Sequence, residues 1–174
     1  TIDFVFIPSL VKGRSSDALE LSNLQGVDVI VHVVRAFDEP SVPHPEGSVD
    51  ASRDIAVMEL ELTISDLAIV EKRHEKLLTD QKKGKDINVN EMKLLEKAKV
   101  ELGNGHPLRS VFSFEERQQL KGFALLTAKP MLAVVNVGEQ QASEPQLTEK
   151  LALGEWESAP EFQLTYVSAK IEAE

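Results

Sequence analysis

A chain of 174 residues suffices for one domain, or for one core that carries an inserted arm. Its 29 acidic residues against 19 basic ones leave a net charge of −10, which excludes a general attraction to nucleic acid or to an anionic membrane but allows a local basic patch. The absence of cysteine excludes disulfides and thiolate metal sites, and no apolar run approaches the ~20 residues that span a bilayer. No signal peptide is visible: Thr1 leads straight into a strand-like run with no initiator Met, so the start reads as cut and the expected compartment is cytoplasmic.

Ile2–Leu10 has Asp3 as its only charge and predicts a strand over 2–8, ended by Pro8 because proline donates no ladder hydrogen bond. Val11–Gly26 reads as a loop with a helical turn around Asp17–Leu24. The run Val27–Arg35 (Val-Asp-Val-Ile-Val-His-Val-Val-Arg) organises the rest. Its near-continuous β-branched character predicts a strand over 28–35, buried on both faces as in a parallel sheet covered by helices. Pro40, Pro43, Pro45 and Gly47 then forbid a regular element across Ala36–Val49.

At Asp50 the periodicity changes from strand to helix. Asp50 suits a helix N-cap, and Ile55, Met58, Leu62 and Ile69, with Leu60, Ile64 and Leu67 on the neighbouring face, recur at helical spacing to about Gln81. Lys82-Lys83-Gly84-Lys85 breaks the pattern. Asn88 with Glu91 predicts a capping box opening a second helix to about Leu102, striped by Met92, Leu95, Ala98 and Leu102. The two helices predict an antiparallel hairpin over 50–103, a coiled-coil arm whose tip is locally positive.

Ser113 and Glu116 predict another capping box for a short helix, Phe114–Phe123. Met131–Val137 reads as a strand, Glu144–Leu153 as a weaker helix, and Phe162–Ser168 as a further strand. The fold class expected is α/β: a mostly parallel sheet built from 1–49 and 104–174, with the hairpin of 50–103 inserted. Four isolated histidines give no support to a metal cluster or a Ser-His-Asp triad. His32 inside its strand reads first as a satisfied buried histidine.

Several motifs carry a resemblance, in order from one end to the other. Val27–Arg35 is followed by His44, then Gly47-Ser48-Val49-Asp50 and Arg53-Asp54-Ile55. Glu59, Leu60, Asp66, Leu67 and Val70-Glu71-Lys72-Arg73 come next, then Leu125-Leu126-Thr127-Ala128-Lys129-Pro130, then Asn136-Val137-Gly138-Glu139, then Ser168-Ala169-Lys170-Ile171-Glu172-Ala173-Glu174. Together they resemble the Obg-like ATPases, the YchF-type branch of the P-loop GTPase superfamily. The resemblance implies a partial P-loop GTPase-like core, ATP or GTP bound with Mg2+, hydrolysis in a switch cycle, and a ribosome or RNA partner reached through the helical arm; it indicates no DNA partner and no membrane.

The departures from the family pattern lie in the phosphate machinery. No G-x-x-x-x-G-K-[ST] motif stands in these 174 residues. Phe6-Ile7-Pro8-Ser9-Leu10 aligns with the family's D-I-A-G-L, replacing a carboxylate near magnesium and a phosphate-sensing glycine. The Gly-rich segment after Gly13 is replaced, and the family's small C-terminal domain has no counterpart. In the superfamily the P-loop strand lies between the counterparts of 2–8 and 27–35, and its absence would cost roughly 1–3 kcal/mol for each buried amide left unpaired; either another segment fills the gap, or the two strands pair directly, or the chain is part of a larger molecule.

Carried over residue by residue, the resemblance makes Asn136, Val137 and Glu139 the base-reading loop. Ser168, Ala169 and Lys170 support the base edge, unless they form a plain strand-to-helix turn. His44 is matched to a histidine that helps activate water, against the alternative of an ordinary loop histidine between two prolines; Leu10 is matched to the apolar residue where Ras-like enzymes carry a water-orienting Gln. Lys82, Lys83 and Lys85 read either as RNA-phosphate contacts or as a solvated turn. Two functions follow: a nucleoside triphosphatase switch seen in part, or a non-hydrolysing ribosome- or protein-binding module using the arm. The isolated chain is expected to bind nucleotide weakly and to turn none over, and adenine is expected to be preferred once a phosphate loop is supplied.

Overall fold

A computed structural model describes residues 1–8 and 21–173. The described chain forms two compact units, Thr1–Asp28 with Glu59–Lys129 and Val29–Met58 with Pro130–Glu174.

The second unit holds the sheet. Strands β1 (Ile30–Arg35), β2 (Met131–Asn136) and β3 (Phe162–Val167) run parallel in the order β1-β2-β3. Ile30, Met131 and Phe162 stand in register at one end, and Arg35, Asn136 and Val167 at the other. Ile30, Val34, Met131, Ala133, Val135 and Phe162 are buried together with Ile55 and Leu153. The Trp156 ring lies 5.3 Å from that of Phe162, and its indole N–H donates to Ser52 Oγ at 3.3 Å.

Two strand expectations are corrected. Residues 1–8 form no strand; Ile2, Phe4, Val5 and Phe6 are exposed, Phe6 to 90%. A strand exists only through a ladder partner and a surface to pack on, and among the described residues this segment has neither, whatever its β-propensity. The run predicted as buried on both faces also buries only one: Val29, Val31 and Val33 are exposed, Val33 to 66%. A parallel strand reads as continuous apolar residues when helices cover both faces. Here the described residues cover one.

The first unit is helical. Helix α1 (Ala51–Lys82) is unbroken, starting in the sheet unit and continuing from Glu59 in the helical one. Asp50 caps it, its carboxylate accepting from Arg53 N at 3.0 Å. Gly84, at φ +74°, makes the left-handed turn that ends the helix, a conformation that costs glycine little, and Lys85 N returns to Asp80 O at 3.1 Å. Helix α2 (Val89–Gly103) then opens on Asn88, which accepts from the amides of Asn90 and Glu91. The reciprocal half of the expected box is replaced: Glu91 pairs with Arg73 at 2.6 Å.

The stripe Met92, Leu95, Ala98 and Leu102 is buried as expected, packed with Val70, Leu77, Leu108, Phe112, Leu120 and Leu125. The stripe on α1 differs from the expectation. Leu60 and Ile64 face solvent, and the buried line is Ile55, Glu59, Leu62, Asp66, Val70 and Leu77. Two carboxylates therefore lie in the interior, each with partners. Glu59 pairs with buried Arg109 on the one-turn helix α3 (Leu108–Val111). Asp66 accepts from the amides of Leu126 and Thr127 at 2.8 and 2.7 Å and from the Thr127 hydroxyl at 2.6 Å, fixing the 3-10 turn Leu126–Ala128. Burial pushes both carboxyls up from their ordinary range, against the partners that stabilise the charged form.

Lys129 completes this turn by donating to the carbonyls of Leu24, Gln25 and Val27 at 2.8, 2.7 and 2.6 Å. Helix α4 (Phe114–Gln119) carries the predicted Ser113–Glu116 box but stops at Gln119, and the rest of the expected helix is a separate 3-10 turn, Lys121–Phe123. The expected helix Glu144–Leu153 shortens to one turn, Leu147–Lys150. In the first loop, residues 21–23 are helical and Leu24–Gly26 is 3-10, while the remainder of Asp17–Leu24 lies outside the described residues. Among the described residues no helix is long and apolar enough to cross a membrane.

Candidate functional site

Three parallel strands deliver three loops to one edge of the sheet, and in open α/β sheets ligands bind at that carboxyl edge. The ladder continues one residue past the strands. Ala36 N donates to Asn136 O and Val137 N to Val167 O, each at 2.8 Å. Asn136, at the end of β2, turns its side chain toward the next loop: Oδ1 accepts from the Ala169 amide at 3.1 Å. This engages one lone pair of the side-chain carbonyl and leaves the NH2 as a donor available to a ligand.

Beyond Asn136 the chain enters the short helix α5 (Glu139–Ala142). Glu139 pairs at 2.7 Å with Lys170 on the one-turn helix Ala169–Glu172 that follows β3, both groups reaching into solvent. The hydrogen bond to Glu139 raises the Lys170 ammonium above its ordinary value. Val137 is buried, so its side chain belongs to the interior and only its backbone faces the edge. Ser168 is buried too, and its hydroxyl has no partner among the described residues. The structure thus brings Asn136, Glu139, Ser168, Ala169 and Lys170 together.

His44 stands on the loop that follows β1. Its Nε2 lies 3.0 Å from Asp54 Oδ2, and Nδ1 accepts from Glu46 N at 3.2 Å. Both ring nitrogens are engaged. Asp54 is shared with Arg53, whose Nε and second guanidinium nitrogen reach Oδ1 at 3.0 and 2.8 Å. Leu10 lies outside the described residues.

Sequence reasoning missed Arg35 and Gln141. The Arg35 guanidinium donates to the carbonyls of Phe37, Val42 and Glu39 at 2.9, 2.7 and 3.2 Å and lies 5.0 Å from the centre of the Phe37 ring. It thereby moulds the loop that carries His44, and the signal was an arginine closing a strand whose one other polar residue is His32. A cleft of about 300 Å3 opens on this loop beside Arg35, Glu39, Val42, His44 and Ser48. Gln141 stands at the third position of α5, where a glutamine can reach back to the N-cap amide, but its second contact, to Ala36 on a distant segment, left no signal. His32 stands on β1 with burial lowering its pKa to about 4, against a smaller opposing effect from Asp54, so it is neutral near pH 7.

No protein-family profile matches the chain. It is 38% identical over 178 residues to the ribosome-binding ATPase YchF of Bacillus subtilis, an alignment covering 99% of this chain and 49% of that protein. It is 35% identical over 122 residues to Obg-like ATPase 1 of Oryza sativa subsp. indica, covering 69% of this chain and 31% of the relative. Its fold is similar to the solved structure of the Schizosaccharomyces pombe YchF GTPase, with a TM-score of 0.69 and 32% identity over 88% of this chain and 43% of that one. The chain spans about half the length of the curated relatives it matches. Over the part of those proteins that it spans, the chain is similar in sequence and in fold to the YchF/Obg-like ATPases.

Proposed function

We propose that the carboxyl edge of the sheet is the base-binding half of a purine-nucleotide site that prefers adenine. The observation that carries this reading is the Asn136 side chain, whose Oδ1 is engaged by the Ala169 amide and whose NH2 is available as a donor to a base. Guanine selection rests on a carboxylate that accepts from N1–H and the 2-amino group together. Glu139 at that place is paired outward with Lys170. Donors left unpaired on guanine would cost roughly 1–3 kcal/mol each, tenfold or more against GTP.

The residues present fit the base and its edge. For the phosphates and Mg2+ they offer less: the sequence has no phosphate-loop motif, and no group of three or more His, Asp or Glu residues among the described ones suits a metal ion. His44 is the candidate for handling an attacking water, with Asp54 as its orienting partner; taking a proton at Nδ1 requires giving up the Glu46 amide.

Titration with ATP and GTP tests the base reading, first on the chain itself and then with a phosphate loop supplied by fusion. ATP should bind more tightly in both. Equal or tighter GTP binding overturns the reading, and turnover by the isolated chain that vanished in His44→Ala would restore an active enzyme.

A second reading has its own observation. Lys82 and Lys83 are exposed at the hairpin tip, while Lys85 is held by Asp80 at 2.7 Å. Segment 50–103 then serves as an inserted arm that presents two lysines to RNA phosphates, in keeping with relatives named ribosome-binding and with a cytoplasmic location. Co-sedimentation with ribosomes that falls with salt, and falls again in Lys82→Glu/Lys83→Glu, supports it; an unchanged double variant removes the tip from the interface.

A further inference from the structure

The base-site reading leaves open what holds Asn136–Glu139 in place. A loop at a sheet edge reads a base only if its donors stay fixed to within a fraction of an ångström. We propose that Gln141 is the positioning residue of this loop, strapping it to the backbone at the end of β1. This inference rests on the base-site reading for its ligand.

The geometry is two-sided. Gln141 Oε1 accepts from Gly138 N at 2.8 Å, and Gln141 Nε2 donates to Ala36 O at 3.0 Å. A carbonyl facing an N–H and an NH2 facing a carbonyl fix the amide's orientation, because a flip would set donor against donor at one end and acceptor against acceptor at the other. The backbones are close as well. A Cβ placed on Gly138 would stand 3.2 Å from Gln141 Oε1 and 3.5 Å from Phe37 Cβ.

Three contacts in a row thus join the loops. Arg35 gathers the carbonyls of Phe37, Glu39 and Val42, Gln141 ties Ala36 to Gly138, and Asn136 ties the same loop to Ala169. Gln141 touches no base position itself. It acts by holding Gly138, two residues past Asn136, so its loss should loosen the Asn136 donor without removing it.

The test uses the 174-residue chain with Gln141→Ala, which loses both contacts, and Gln141→Glu, which keeps an acceptor for Gly138 N–H but has no donor for Ala36 O. Amide hydrogen exchange is followed at Gly138, at Ala169 and at Leu95 in the helical unit, and ATP binding is followed through the shifts of the first two amides. In Gln141→Ala, Gly138 should exchange roughly tenfold faster and ATP affinity should fall about fivefold, the loss of one or two hydrogen bonds, with Leu95 unchanged. Gln141→Glu should recover part of the Gly138 protection.

Unchanged Gly138 exchange in Gln141→Ala overturns the strap. Faster exchange with unchanged ATP affinity overturns the positioning role. Acceleration at Leu95 to the same degree shows general destabilisation instead, and overturns it too. If neither the unmodified chain nor its phosphate-loop fusion binds ATP, the base-site reading fails and the positioning role fails with it, and Gly138 exchange still decides whether the strap exists.

Discussion

The helical unit and the sheet unit solve the problem of burial in opposite ways. The helical unit takes charge inside. Glu59 and Asp66 sit in the interior line of α1 beside Leu62 and Val70; Glu59 is ion-paired with Arg109, and Asp66 is hydrogen-bonded by Leu126 and Thr127. The sheet unit keeps its interior apolar apart from His32 on β1 and places its other polar groups at the strand ends. It also leaves Val29, Val31 and Val33 facing solvent. A buried carboxylate is directional: it fixes which turn docks where, at the cost of desolvation. Aliphatic packing is non-directional, and in the sheet the register is fixed by the ladder instead. The difference teaches where each unit is brittle.

The comparison breaks most readily at Arg109. Removing it by Arg109→Ala leaves Glu59 buried without its cation and should cost about 3–5 kcal/mol in denaturant unfolding. Arg109→Met with Glu59→Leu should recover most of that loss, since an apolar pair of similar volume carries no desolvation penalty. A double variant as unstable as the single one would show that the ion pair is not what matters there.

Leu95→Ala probes the apolar part of the same unit. Leu95 is fully buried, so the cavity should cost about 2–5 kcal/mol, read as a shift in urea midpoint. A loss under 1 kcal/mol would mean that the packing between α1 and α2 is looser than described.

The sheet unit should respond to pH through His32. Its pKa is 6.5 in the unfolded chain and about 4 in the folded one, so between these values the unfolded chain binds the proton first. Stability therefore falls as pH drops from 6.5 toward 4, by up to about 3 kcal/mol, and is fully retained above that window. His32→Leu should flatten the dependence between pH 7 and pH 5; an unaltered slope would assign it to other groups.

The smallest effect belongs to the open face of β1. Val33→Thr should change stability by no more than about 0.5 kcal/mol, whereas Val34→Ala, at a buried position of the same strand, should cost more than 1 kcal/mol. Similar losses at the two positions would show that the face of Val31 and Val33 is covered.

The base loop shows how far residue patterns reach. Asn136, Glu139 and Ser168–Lys170 were named by resemblance, and the structure brings them to one edge because three parallel strands of equal length end together. The Arg35 and Gln141 contacts were not legible. Each depends on which carbonyl stands within 3 Å after the chain has turned, and sequence spacing carries no such distance.

The sequence by itself determined the elements whose physics is local. The switch at Asp50, the break at Lys82–Lys85, the caps at Asn88 and Ser113, and the stripe Met92–Leu102 all follow from periodicity and from amides that the next few residues satisfy. Tertiary structure alone decided the fate of residues 1–8, the exposure of Val31 and Val33, and the choice of Glu59 and Asp66 over Leu60 and Ile64 as interior residues. A strand needs a partner from elsewhere in the chain. A carboxylate goes inside only when distant amides or a distant arginine arrive to meet it, and neither condition is written in its sequence neighbours.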